Sequence, residues 1–181
     1  IMSKNRLVSG FHHFAMEVSD MDKSIAFYRD ILGFKLSERH TADEIEAIPM
    51  DLTFLRVGEN HHDLVLAHNP NKKYRARNEA DAAEGPAYIH HFAFGCPDKE
   101  AWLEIMEDVK ARGIEIVRGP VVHSKYNPRG DGSWGENESF YVLDPDGHRL
   151  ELFCEMATIA DDGTFVSAAG ERIEEAKVEE V

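Results

Sequence analysis

His12-His13-Phe14-Ala15 returns as His90-His91-Phe92-Ala93, an offset of 91 − 13 = 78 residues, and Asp20 returns as Asp98 at the same offset. Self-similarity at a fixed distance constrains architecture before any local propensity does, so the chain is read as two related halves. Outward from the first motif, Phe11 to Val18 reads as a strand. Ser19 or Asp20 can cap a helix whose Ile25, Tyr28, Ile31 and Leu32 follow helical spacing and which Gly33 ends. Phe34 to Glu38, Leu52 to Val57 and Asp63 to Ala67 are the strands that follow. The second half repeats the order: strand Tyr88 to Gly95, helix Asp98 to Arg112 with Trp102, Ile105, Met106 and Val109 on one face, then Gly113. Strands Ile114 to Val117, Ser139 to Leu143 and Arg149 to Cys154 complete it, with Asp144-Pro145-Asp146-Gly147 as a turn between the last two. The expectation is an α+β protein of two βαβββ modules, 8–69 and 87–156, joined by a linker at 70–86 and followed by an acidic C-terminal arm at 157–181.

A chain of 181 residues that is 43% hydrophobic can bury a real core. Its formal net charge of −14 argues against nucleic acid, because phosphate recognition needs clustered Lys and Arg. No apolar run is long enough to cross a bilayer and the N-terminus does not read as a signal peptide, so no membrane partner and a cytoplasmic location are expected. Two cysteines, Cys96 and Cys154, are too few for a disulfide framework and read as reduced, packed thiols. Part of the acidity sits in the arm, where 170–181 reads either as a short helix docking on a partner subunit or as a solvated tail. A homo-oligomer, dimer or higher, is expected.

Six of the ten histidines form three His-His pairs, and two of those pairs open equivalent strands. A divalent ion with N/O ligands needs neutral imidazoles and a carboxylate from different elements, and a repeat supplies matched strand positions. His13 and His91 are such a pair. Glu151, in Leu150-Glu151-Leu152, is an acid within an apolar strand, where a carboxylate is costly unless paired or bound to a cation. It is the natural third ligand. Any one of the three alone would read as an ordinary core or surface residue; the three together on a repeat point to metal.

His13-Phe-Ala-Met with Phe27-Tyr28-x-x-x-Leu32-Gly33-Phe34, and the closing Tyr141-Val-Leu-Asp144-Pro145-Asp-Gly147-His-x-Leu-Glu151-Leu, resemble the vicinal oxygen chelate superfamily over roughly 8 to 155. The resemblance implies βαβββ modules paired into an incomplete barrel around a metal site. That fold hosts glyoxalase I, isomerases and epimerases, fosfomycin and bleomycin resistance proteins and extradiol ring-cleaving dioxygenases, so fold alone does not settle function. In glyoxalase I each module's last strand supplies a Glu. Here Val65 of Leu64-Val65-Leu66-Ala67-His68-Asn69 stands in that place, and Asp63, two residues earlier on the same face, is the substitute a register slip would bring to the metal. Two histidines and one carboxylate match non-haem Fe(II) oxygenases.

Further residues resemble the dioxygenases. His61-His62 before Asp63-Leu64 is similar to the segment whose second His is the acid/base catalyst, a role suited to a pKa near neutrality. Gly119-Pro120-Val-Val-His123 is similar to the motif whose His contacts the substrate hydroxyl and oxygen, and Tyr141 matches the tyrosine that hydrogen-bonds substrate. The sequence departs from that pattern in a long insertion at 124–140, which carries Trp134 and several glycines and has the character of a lid or specificity loop. The resemblance implies an extradiol-type dioxygenase of aromatic hydrocarbon catabolism. Its metal would be Fe(II), with Mn(II), Zn(II) or Ni(II) as alternatives, its substrates a catechol-like aromatic diol and O2, its ligands His13, His91 and Glu151, and its catalytic residues His62, His123 and Tyr141. The alternatives are a glyoxalase-like metal-dependent lyase or isomerase and a resistance-type protein that binds a small molecule.

Overall fold

A computed structural model describes residues 11–44, 46–75, 89–133 and 135–177. The chain divides into two compact units, Ile1–Ala76 and Arg77–Val181. The first runs β1 (Phe14–Glu17), α1 (Met21–Asp30), β2 (Lys35–His40), β3 (Asp51–Arg56) and β4 (Leu64–His68). The second runs β5 (Phe92–Gly95), α2 (Lys99–Ala111), β6 (Ile116–His123), β7 (Asn137–Leu143) and β8 (Arg149–Cys154), then β9 (Thr158–Ile159), β10 (Thr164–Val166) and β11 (Arg172–Lys177). Each βαβββ set forms a four-stranded mixed sheet, in the order β1-β4-β3-β2 or β5-β8-β7-β6. In both, the strand before the helix lies parallel to the last strand of the module and the other neighbours are antiparallel.

The repeat extends to the helix ends. Asp20 accepts a hydrogen bond from Lys23 N at 3.1 Å and Asp98 from Ala101 N at 2.8 Å, so the same acid caps both helices. Gly33 and Gly113, with φ of 75° and 71°, take the left-handed backbone just past each helix, which glycine adopts without strain. Helix α1 buries Met21, Ile25, Phe27 and Tyr28. Helix α2 buries Trp102, Met106 and Val109, and the Trp102 indole donates to Leu152 O at 2.8 Å. Deleting an aromatic of that size from a core costs about 3–5 kcal/mol. Ahead of β8, Asp144 accepts from the backbone N–H groups of Asp146 and His148, and Gly147 has φ 83°, which makes the turn that launches Glu151.

Three features depart from the sequence expectations. Strand β6 runs through Gly119-Pro120 to His123, well past the expected end at Val117, with shifts in register on either side of Arg118. Gly119 permits this: its φ is 96°, and an added Cβ would meet Ser139 O at 2.7 Å, so β6 passes against β7 only because this residue has no side chain. The arm is neither helix nor tail within the described residues. Ile159, Phe165 and Ile173 stand in register across the antiparallel sheet β11-β10-β9, with Ile159 largely exposed; residues 178–181 lie outside the described residues. Finally, the expected strand from Tyr88 begins only at Phe92, Tyr88 itself and most of the expected linker lying outside the described residues. Cys96 and Cys154 are free. Among the described residues no helix is long and apolar enough to cross a membrane.

Candidate functional site

In the first unit, β1 brings His12 and His13 to its start and the β3–β4 hairpin brings His61 and His62 beside them. The His62 ring lies 4.4 Å from that of His13, 5.6 Å from that of His12 and 5.2 Å from that of Phe54. One donor nitrogen from each of His12, His13 and His62 falls within 4.8 Å of the others. His61 Nε2 is 3.1 Å from Glu38 Oε2, which anchors the hairpin pair to β2. Loss of surrounding water, and next the neighbouring His13, push the His62 pKa below the usual histidine value, so its imidazole is neutral at pH 7 and able to accept a proton.

Val65 pairs with Ala15 on β1 and with Phe54 on β3, and it is buried. Directly paired residues share a sheet face, so a valine stands on the face that carries Phe54, and it offers no donor. The Asp63 alternative is answered by its bonds. One carboxylate oxygen accepts from Val57 N at 2.8 Å and the other from Asn60 Nδ2 at 3.2 Å, so Asp63 closes the hairpin. Those bonds, led by the Val57 N–H, hold its carboxyl below the usual range.

In the second unit, Ala93 pairs with Glu151 and Glu151 with Tyr141, so the ends of β5, β8 and β7 meet on one face. His91 Nε2 is 3.2 Å from Glu151 Oε2, and the Ser139 hydroxyl donates to Oε1 at 2.6 Å. Glu151 is 7% exposed. His123, which precedes the long insertion, reaches this face: its Nε2 is 2.8 Å from the Tyr141 hydroxyl and 4.0 Å from Glu151 Oε1. The insertion holds its other nitrogen, since Nδ1 is 2.9 Å from both Asp131 Oδ2 and Ser133 Oγ. Bonds from Ser133, then the contact with His123, pull the Asp131 carboxyl down to about 2. Burial first, and the Glu151 charge second, push the Tyr141 phenol up to about 12, so it stays a donor. With Nδ1–H given to the Asp131 carboxylate, the His123 Nε2 lone pair accepts from Tyr141; this tautomer follows from the partners.

The structure thus groups His13 with His62 in the first unit and His91, Glu151, His123 and Tyr141 in the second. Asp131 and Ser133 carry no signal in the sequence as site residues, since a polar Gly-Asp-Gly-Ser stretch has no periodicity and reads as any turn, and Ser139 reads only as the start of a strand. A cavity of about 920 Å³ in the second unit, lined by Lys99, Arg129, Glu138, Phe153 and Arg172, includes none of these residues. Its lysine is paired with Glu138 and its Arg172 with Asp162, so the chemistry belongs to the Glu151 face. The donor set there fits a divalent ion. Two ligands about 2.1 Å from one ion and at right angles stand about 3 Å apart, as His91 Nε2 and Glu151 Oε2 do, and imidazole with carboxylate is the donor chemistry of Fe, Mn, Zn or Ni.

A family model described as "Glyoxalase/Bleomycin resistance protein/Dioxygenase superfamily" matches residues 10–152. The chain is 30% identical to a Vibrio cholerae protein named "Probable lactoylglutathione lyase", over 83% of this chain and 91% of the other. It is 26% identical to "2,2',3-trihydroxybiphenyl dioxygenase" of Sphingomonas paucimobilis, over 80% of this chain but only 41% of that longer protein. Among solved structures, a glyoxalase family protein from Enterococcus faecalis superposes with a TM-score of 0.58 at 20% identity, covering 82% of this chain and 99% of the other.

Proposed function

The chain belongs to the Glyoxalase/Bleomycin resistance protein/Dioxygenase superfamily, and from that premise we propose that it is a metal-dependent extradiol-type dioxygenase that opens the ring of a catechol-like diol with O2. The observation that carries the reading is His62: a neutral imidazole 4.4 Å from His13, on a face where Val65 supplies no further carboxylate. His13 of the first module and His91 and Glu151 of the second would hold one divalent ion, Fe(II) foremost. When bound, that ion supplies a Lewis acid that lowers the pKa of diol hydroxyls and gathers both reactants.

The remaining roles fall to the chain's own residues. His62 accepts a proton from a substrate hydroxyl and returns it as the ring opens, a step that favours a group titrating near neutrality. Ser139 fixes Glu151 Oε1 and so leaves Oε2 turned toward His91. Tyr141 supplies the hydroxyl hydrogen that can turn to a substrate oxygen where charge develops, and His123, oriented by Asp131 and Ser133, holds that hydroxyl in place beforehand. The test is oxygen uptake by Fe(II)-loaded protein with a panel of catechols, together with the yellow absorbance of a ring-opened product.

The 30% relationship over most of both chains favours a second reading, a lyase acting on a hemithioacetal. It would need a carboxylate to move the proton, and the β4 position that would supply one is Val65. Isomerisation of a glutathione hemithioacetal by Ni(II)- or Zn(II)-loaded protein, with no oxygen uptake on any catechol, would replace the first reading with the second.

A further inference from the structure

Two arginines stand on the face that carries Glu151. Arg149 precedes Glu151 by two residues on β8 and therefore shares its face, and Arg118 on β6 pairs with Tyr141, which pairs with Glu151. Both guanidiniums lie over the same ring, at 4.6 Å for Arg149 and 5.6 Å for Arg118 from the Tyr141 centroid. Stacking accounts for where they sit but uses none of their N–H groups. Arg118 spends one terminal nitrogen on Asp131 at 3.3 Å and is otherwise half-exposed. Arg149 Nε is buried with no hydrogen-bond partner, and among the described residues no carboxylate stands within ion-pair reach of this guanidinium. A buried, unmatched guanidinium nitrogen is costly, and a site that tolerates one is built for a partner from outside. With a formal net charge of −14 the chain as a whole does not draw anions, so anion recognition has to come from local cations such as these two.

We propose that Arg149 and Arg118 form an anion subsite beside Tyr141, and that the aromatic diol this protein takes carries a carboxylate on its ring or on a short side arm. The planar fork of a guanidinium matches a carboxylate through two parallel N–H bonds, and the phenol face of Tyr141 lies against both forks. The inference rests on the ring-cleavage reading for the word diol, and on the arginines alone for the word carboxylate.

The probes are 3,4-dihydroxyphenylacetate and its neutral amide, titrated under argon into Fe(II)-loaded protein by calorimetry. Both carry the same diol, so the ratio of their Kd values isolates the charge. The wild type should bind the acid about ten- to hundredfold more tightly than the amide, the range expected for charge-assisted bonds. Higher salt should erode that preference. Arg149→Met should bring the ratio near one, Arg149→Lys should restore part of it, and Arg118→Met should lower it several-fold. If Arg149→Met fails to fold by circular dichroism, the wild-type ratio and Arg118→Met decide. A wild-type ratio near one, or a ratio that survives Arg118→Met and Arg149→Met alike, overturns the subsite and leaves only stacking. Oxygen uptake is read separately: its absence with these compounds and with the whole catechol panel removes the ring-cleavage reading, while the Kd ratio still decides the anion subsite.

Discussion

Asp131→Asn tests whether the insertion holds the site together. In the folded chain the Asp131 carboxylate accepts from the Ser133 N–H and hydroxyl at 3.0 and 2.5 Å and faces His123 Nδ1 at 2.9 Å. Its pKa falls from 3.8 to about 2, which corresponds to about 2.4 kcal/mol at about 1.36 kcal/mol per pH unit. A quarter of the side chain remains in water, so screening reduces this to about 1–2 kcal/mol. The folded pKa is depressed, so the stabilisation is complete above the unfolded value near 4 and disappears as pH falls from about 4 to about 2. For a chain of this length each kcal/mol moves Tm by about 2–4 °C. Differential scanning calorimetry of both proteins should therefore show the variant melting about 2–8 °C lower at pH 7, with the gap narrowing below pH 4. Other carboxylates titrate in that range too, but they do so in both proteins and cancel in the difference. An equal gap at pH 7 and pH 3, or no gap at either, would refute the assignment of Asp131 as an ionised partner of Ser133 and His123.

Three further outcomes are expected. Glu151→Gln keeps the shape of the side chain and loses its charge, so iron content after desalting should fall at least tenfold while the far-ultraviolet circular dichroism is unchanged; equal iron in both proteins would remove Glu151 from the ligand set. His62→Phe should retain iron and lose about 10²–10⁴-fold in kcat with a catechol, and an undiminished rate would return His62 to a purely structural place in its hairpin. Val65→Glu places a carboxylate on the face it shares with Phe54, and should raise metal affinity while suppressing oxygen uptake; unaltered uptake under matched iron loading would mean that residue 65 does not face the metal.

The fold was legible because the sequence states it twice. The repeated His-His-Phe-Ala motif, the paired helix caps Asp20 and Asp98 and the stops Gly33 and Gly113 each report a local geometry that one residue type satisfies best, and each occurs at matched positions. Where the expectation failed, the deciding interactions were not local. The extension of β6 to His123 depends on how closely Gly119 can approach Ser139 on the neighbouring strand, a contact between residues twenty apart. The C-terminal sheet depends on Ile159, Phe165 and Ile173 coming into register. Charge density argued for a short helix or a solvated tail, and the pairing of these strands is a matter of register between segments that no single stretch of sequence displays.

The candidate site divides along the same line. Residues proposed to offer a metal or a proton a specific atom, His13, His91, Glu151 and His62, come from a small set of side chains, so residue type, and for His13 and His91 the repeat, makes them candidates in the sequence. Residues that hold those groups in orientation come from a much larger set. Any hydroxyl or carboxylate able to reach the His123 Nδ1 could fix its tautomer, and here Asp131 and Ser133 do so from within the insertion. The length of that loop is what brings Asp131 back to the end of the His123 strand, where its N–H donates to Val122 O at 2.9 Å. An orienting role is thus decided by loop closure rather than by residue identity, and it becomes visible only once the strand and the loop that returns to it are placed together.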